Sequence, residues 1–314
     1  MRENIKKGHL IFPMIFLVSF LILSCDFDGS SQQTRVTGTR GLVMNVMRTA
    51  MPDSIYAGES LYMQLNLRNE GAPDIFDGVI SVSTDSLLEV TNEDEFKVLT
   101  LRGDAGIFRG EEDIVQINLI SKDLGMDGVT ARDSQITINA CYEYNTFFED
   151  TFCLDADIRN QQIEKPCTMR ELSGARGQGA PVVVSKVVPR SVVSESGARV
   201  SFRIYIYNSG SGLVLTKDSS KRVCQDRFDE RDMGIIKINE ITLSRFKLSD
   251  ESIICDSHTN NPNEFDISDR LEYIECRIVE ELDFSEGTFL TPMTIDLDYG
   301  YLETVRTSIN VKNN

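Results

Sequence analysis

The feature that most constrains this chain is an internal repeat. Gly58 and Gly197, Asn69 and Asn208, and Gly71 and Gly210 are each separated by 139 residues. Pro52, the pair Gly58-Glu59 and the run Leu61-Tyr62-Met63-Gln64-Leu65-Asn66-Leu67-Arg68-Asn69-Glu70-Gly71 match Pro189, Gly197 and Val200-Ser201-Phe202-Arg203-Ile204-Tyr205-Ile206-Tyr207-Asn208-Ser209-Gly210. Apolar and polar residues alternate with period two in both copies. Leu61, Met63, Leu65 and Leu67, and then Val200, Phe202, Ile204 and Ile206, are therefore expected to face a core from β-strands. Asn-x-Gly turns the chain out of each strand. The copies also end alike. Thr137-Ile138-Asn139-Ala140-Cys141-Tyr142-Glu143-Tyr144 matches Thr294-Ile295-Asp296-Leu297-Asp298-Tyr299-Gly300-Tyr301 at a separation of 157, so the second copy holds 18 additional residues. Each Tyr-x-Tyr segment reads as one arm of a β-hairpin whose closing strand is 151–158 or 308–312.

Short strands with turn residues between them, and few helical stripes, predict an all-β protein of two tandem Ig-like β-sandwich domains, 42–165 and 181–314, after an N-terminal signal or anchor helix. A linker at 166–180 contains the Gly-rich stretch SGARGQG, which reads as a hinge or turn. The extra residues fall at about 213–270, the region expected to make specific contacts. Pro52, Gly58-Glu59 and Asn69-Glu70-Gly71, repeated as Pro189, Gly197 and Asn208-Ser209-Gly210, resemble the opening strands of Ig-like modules of the cell-adhesion-related (CARDB-like) type. The resemblance covers about 40–314. It implies binding or scaffolding at a surface and supplies no catalytic residue.

Arg2, Lys6 and Lys7 precede an apolar run at 10–23, the plan of an export signal. At ~1.5 Å per helical residue the run reaches about 21 Å, short of a hydrocarbon core of roughly 30 Å. Ile22-Leu23-Ser24-Cys25 then resembles a lipobox, which implies lipidation at Cys25 and a tether to the extracytoplasmic face of a membrane. An uncleaved signal anchor is one alternative. Lys7-Gly8 resembles a pilin-like processing site and supplies another. Residues 26–41 have the composition of a flexible spacer.

In an exported chain the six remaining cysteines are expected to form disulfides. Cys141 and Cys153 align with Asp298 and Asn310, so both are missing from the second copy together, which predicts a Cys141–Cys153 bond across the hairpin. Cys255 and Cys276 flank a polar loop and are expected to pair. Cys167 and Cys224 follow by elimination.

The chain carries a net charge of −17, which disfavours nucleic acid as a partner because its phosphates would be repelled. With no Trp and two His, the usual His-based catalytic sets are nearly excluded. His258, in a polar loop, would have to serve any Ser-His-Asp arrangement alone. Asp226, Asp229, Glu230 and Asp232 could offer oxygen ligands to calcium, but interleaved Arg222, Arg227 and Arg231 favour local ion pairs, so no metal or other cofactor is expected. Arg102-Gly103-Asp104 spells an integrin-type tripeptide and reads as a β-turn. The expected function is a non-catalytic cell-surface scaffold or adhesin-like binding protein with a protein partner. The rivals are a pilin-like or envelope-complex subunit and a carboxylate-dependent extracellular hydrolase.

Overall fold

The computed structural model describes residues 36–91, 96–104, 106, 109–125, 129–225, 229–257, 259, 261–268 and 273–313. The signal segment with Cys25, most of the 26–41 spacer, Asp226 and His258 lie outside them.

The first copy contributes β1 (Leu42–Val46), β2 (Ser54–Tyr56), β3 (Ser60–Asn69), β4 (Ile75–Thr84), β5 (Leu88–Val90), β6 (Phe96–Leu101), β7 (Glu112–Ser121) and β8 (Ala131–Asp155). After β9 (Leu172–Ser173) the second contributes β10 (Val182–Val193), β11 (Ala198–Asn208), β12 (Leu213–Leu215), β13 (Ile235–Leu243), β14 (Phe246–Lys247), β15 (Ile253–Cys255), β16 (Glu264–Asp266), β17 (Ile274–Ile278) and β18 (Thr288–Lys312). One outer sheet runs β1-β3-β7-β5 and the other β15-β17-β11-β10-β9. Read from β10, the second repeats the order of the first. The alternating residues of β3 and β11 named above are buried, as their period requires.

Both outer sheets pack on the same face of one shared sheet, β14-β13-β18-β8-β4-β6, since Tyr142, which meets Leu42 of β1, and Phe152, which meets Phe202 of β11, lie on the same side of β8. Strands β8 and β18 pair antiparallel over 25 residues, from Thr288 with Asp155 to Lys312 with Ala131. Glu143 faces Gly300, and these residues are themselves 157 apart, so the repeat is folded about a local two-fold axis between them. Tyr142 faces Tyr301 and Tyr144 faces Tyr299 across that axis. The relation is that of an isologous dimer interface, written here within one chain.

This pairing overturns the expected hairpins. β8 passes from Tyr142 through Thr146 to Asp155 without turning, because Thr146 is buried and its hydroxyl is satisfied by the Val182 carbonyl at 2.6 Å. The far half of each long strand therefore serves the other copy. Phe152 of the first copy packs edge-on against Phe202 of the second, with ring centroids 6.2 Å apart. Val311 of the second copy pairs with Ile55 of the first, in parallel, and both are buried. The units 42–165 and 181–314 thus meet in a common sheet, and Arg35–Asn314 form one compact unit. The 166–180 stretch is bonded rather than an open hinge. Gly38 N–H donates to Arg176 O, Gly179 N–H to Gly38 O and Ala72 N–H to Gly179 O, at 2.6–2.8 Å.

The same geometry corrects two of the disulfides. Cys141 and Cys153 lie twelve positions apart on one extended strand, so at ~3.3 Å per residue they are about 40 Å apart, whereas a disulfide needs Cα atoms within about 7 Å. Cys141 is instead joined to Cys224 and Cys153 to Cys167, and Cys255 is joined to Cys276. The expected Cys167–Cys224 bond is therefore absent.

The Cys141–Cys224 bond fastens part of the added segment over the local axis. β12 pairs with β18 at 300–302, and a helix, Ser220–Gln225, follows. Cys224, Cys141 and Val79 form a small buried cluster beneath it. On the other side of the axis Lys217 Nζ lies 2.7 Å from Asp298 Oδ2, and Asp298 is the repeat equivalent of Cys141. One strap is thus held at two equivalent positions by two different bonds. Gly300 permits the crossing, since a Cβ there would lie 2.8 Å from both Thr216 O and the Ser220 Cβ.

Candidate functional site

The local axis is floored by four tyrosines. Ring centroids are 5.4 Å apart for Tyr142 and Tyr144, 5.9 Å for Tyr142 and Tyr301, 6.3 Å for Tyr144 and Tyr299, and 6.4 Å for Tyr299 and Tyr301. Their hydroxyls reach outward to equivalent groups in both copies. Tyr144 donates to Asn69 Oδ1 at 2.9 Å and Tyr301 to Asn208 Oδ1 at 3.1 Å. Each Asn also accepts from the glycine of its Asn-x-Gly turn, Gly71 or Gly210. Leu42 N–H donates to the Tyr142 hydroxyl at 3.2 Å, and the Val182 backbone does the same for Tyr299. Burial pushes all four phenols up, that of Tyr301 to about 12.

Two residues beyond each inner tyrosine the copies diverge. In the first, Thr146 is fully buried, with its hydroxyl also 3.1 Å from the Tyr299 hydroxyl. Its equivalent in the second copy is Glu303. Beside Glu303 opens a cavity of about 420 Å³, walled by the first copy through Arg40 and Leu42 and by the second through Pro181, Ser211 and Tyr301. Ser211 Oγ donates to Glu303 Oε1 at 2.8 Å. Burial raises the Glu303 carboxyl, and the Ser211 bond offsets this only in part. Among the described residues no cation pairs with Glu303, because Arg40 at the rim is engaged by Glu70 at 2.9 Å.

The residues expected to matter from sequence lie elsewhere. Asp229 accepts from Arg231, which holds its carboxyl down at about 2, and Asp232 pairs with Arg222 at 2.7 Å. With Asp226 outside the described residues, no group of three or more metal-ligating side chains is present among those described. Arg102-Gly103-Asp104 leads out of β6 without forming the expected turn and is packed on the first copy, with Gly103 N–H donating to Asp74 and Asp104 N–H to Gly71 O. Asp296 and Asp298 share the outer face of β18. Burial raises the first, and Lys217 holds the second. No described helix is long and apolar enough to cross a membrane. Sequence reasoning missed Glu303. The available signal was the repeat alignment itself, which pairs this acid with a threonine at an inward position two residues past the matched Tyr-x-Tyr.

No family model matches the chain, and no curated protein matches it. Among solved structures, the sporulation control protein Spo0M from Bacillus subtilis matches with 12% identity and a TM-score of 0.17, over 53% of this chain and 80% of that one. The CupB6 tip adhesin from Pseudomonas aeruginosa matches with 9% identity and a TM-score of 0.14, over 88% and 96%. Scores this low establish neither a shared fold nor a shared function.

Proposed function

We propose that this is an exported, non-catalytic binding or scaffold protein, held on the extracytoplasmic face of a membrane by its N-terminal segment and meeting a protein partner with the junction between its two copies. The observation that carries this reading is the set of three disulfides, which close separations of 83, 14 and 21 residues. Such bonds persist in oxidising, extracellular compartments. A body built around one shared sheet and braced this way suits a role in which position and rigidity matter more than opening and closing. The resemblance of its opening strands to cell-adhesion-related modules points the same way.

The test is protease shaving of intact cells, with mass spectrometry of the N-terminal peptide and of alkylated thiols. The reading expects surface-released fragments, Cys25 carrying diacylglyceryl and no alkylation at the other six cysteines. A shielded chain with free thiols would overturn it. Cleavage after Gly8 would replace it with the pilin-like subunit.

A further inference from the structure

The two copies act as each other's control at the junction. Thr146 shows what the fold requires at this inward position: a small polar side chain that is buried and fully bonded. Glu303 occupies the equivalent place with a carboxylate, and the space beside it is left open. A carboxylate offers about four acceptor positions, and within the described protein Glu303 receives one donor, Ser211 Oγ. A half-buried charge with so little compensation is costly unless a cation completes it. The cavity falls within the roughly 300–1,000 Å³ typical of ligand sites. Its lining includes the 209–211 segment and the segment ahead of β1.

From this geometry we propose that the junction cavity binds a positively charged side chain, a lysine ammonium or arginine guanidinium presented by a protein partner, with Glu303 as its counter-ion. Ser211 positions the carboxylate by its hydrogen bond. A net charge of −17 steers basic partners toward the protein and raises their encounter rate. The inference deepens the binding-protein reading and relies on it for the source of the cation. The site itself stands on Glu303 and the cavity.

The probes are n-butylammonium, agmatine and the peptide acetyl-Gly-Lys-Gly-amide, with n-butanol as the neutral control. They are titrated to millimolar concentration into the oxidised protein and followed by amide chemical shifts. Saturable shifts confined to 39–44 and 209–213 are expected with the cations, peptide included, and none with butanol. Glu303→Gln should weaken the cations by about tenfold or more, the usual scale for removing one member of a buried charge pair. Glu303→Thr, which copies the closed position at Thr146, should abolish binding while leaving the amide spectrum outside the cavity unchanged, which certifies the fold. Absence of saturable shifts in the native protein, or equal affinity in Glu303→Gln, would overturn the site. Binding of the small amines without the peptide would overturn its assignment to a protein side chain. Neither result bears on surface display, which the shaving experiment decides separately.

Discussion

Removing the Cys141–Cys224 bond tests both the corrected connectivity and the strap it holds. The bond spans 83 residues, against 21 for Cys255–Cys276 and 14 for Cys153–Cys167. If the principal effect is loop entropy in the unfolded chain, these separations convert to about 4.5, 3.4 and 3 kcal/mol of stabilisation. The longest loop should therefore be the most expensive to open. Cys141→Ser/Cys224→Ser also removes a small buried contact with Val79, which moves the cost in the same direction. Urea unfolding of the three double-serine variants, each with its other bonds oxidised, should rank their midpoints with 141/224 lowest. Lys217→Ala in the 141/224 background should lower it further, because the strap then loses its hold on both sides of the axis. A 141/224 variant no less stable than the 153/167 variant would refute the reasoning. A tryptic peptide carrying a native Cys141–Cys153 bond would refute the extended strand itself.

Other predictions follow from the same packing. Gly71→Ala and Gly210→Ala each set a methyl against the hydroxyl of Tyr144 or Tyr301, so each should cost about 1–3 kcal/mol in urea unfolding, the range for an overfilled core. The four buried tyrosines are held protonated in the folded state. Their contribution to stability is complete below the unfolded phenol value near 10 and is lost as pH rises through about 12 for Tyr301 and higher for the others. The phenolate absorbance of these four should thus appear together with loss of near-ultraviolet circular dichroism. Glu281, bonded by Ser196, Ser194 and Arg199, is held down at about 2. Its stabilising effect is present above roughly 4.3 and lost as pH falls toward 2, so Glu281→Gln should flatten the pH dependence of the urea midpoint within that window.

The sequence made the strands of both copies legible because β3 and β11 alternate cleanly and end in the same Asn-x-Gly turn. It also contained the local axis, since the separation of 157 is the one that relates Glu143 to Gly300. The long strands were misread for a physical reason. Strands usually run about 3–10 residues, so Asn145-Thr146 after Tyr144 suggested a turn. The inward alternation nevertheless continues through Tyr142, Tyr144, Thr146, Phe148, Phe152 and Leu154, with no Gly or Pro between 131 and 155. Thr146 passes for a turn residue only while its hydroxyl's partners, which come from the other copy, are unseen. The cysteine argument failed in the same way. Cys141 and Cys153 are both replaced in the second copy, but for separate reasons. Asp298 holds the strap through Lys217, and Asn310 bonds Asp133 across the ladder at 2.8 Å. Glu303 was legible only as an exception to the repeat, and its cavity depends on contacts between the copies that no local pattern encodes.

Native-state hydrogen exchange along β8 and β18 puts the single-body architecture to its most direct test. If both copies are locked by one ladder, amides at 134–140 and at 146–154 should fall in the same slowest class and lose protection at one denaturant concentration. Rapid exchange beyond Thr146, or separate midpoints for the two stretches, would mean that the long strand breaks there and that the copies fold as independent units.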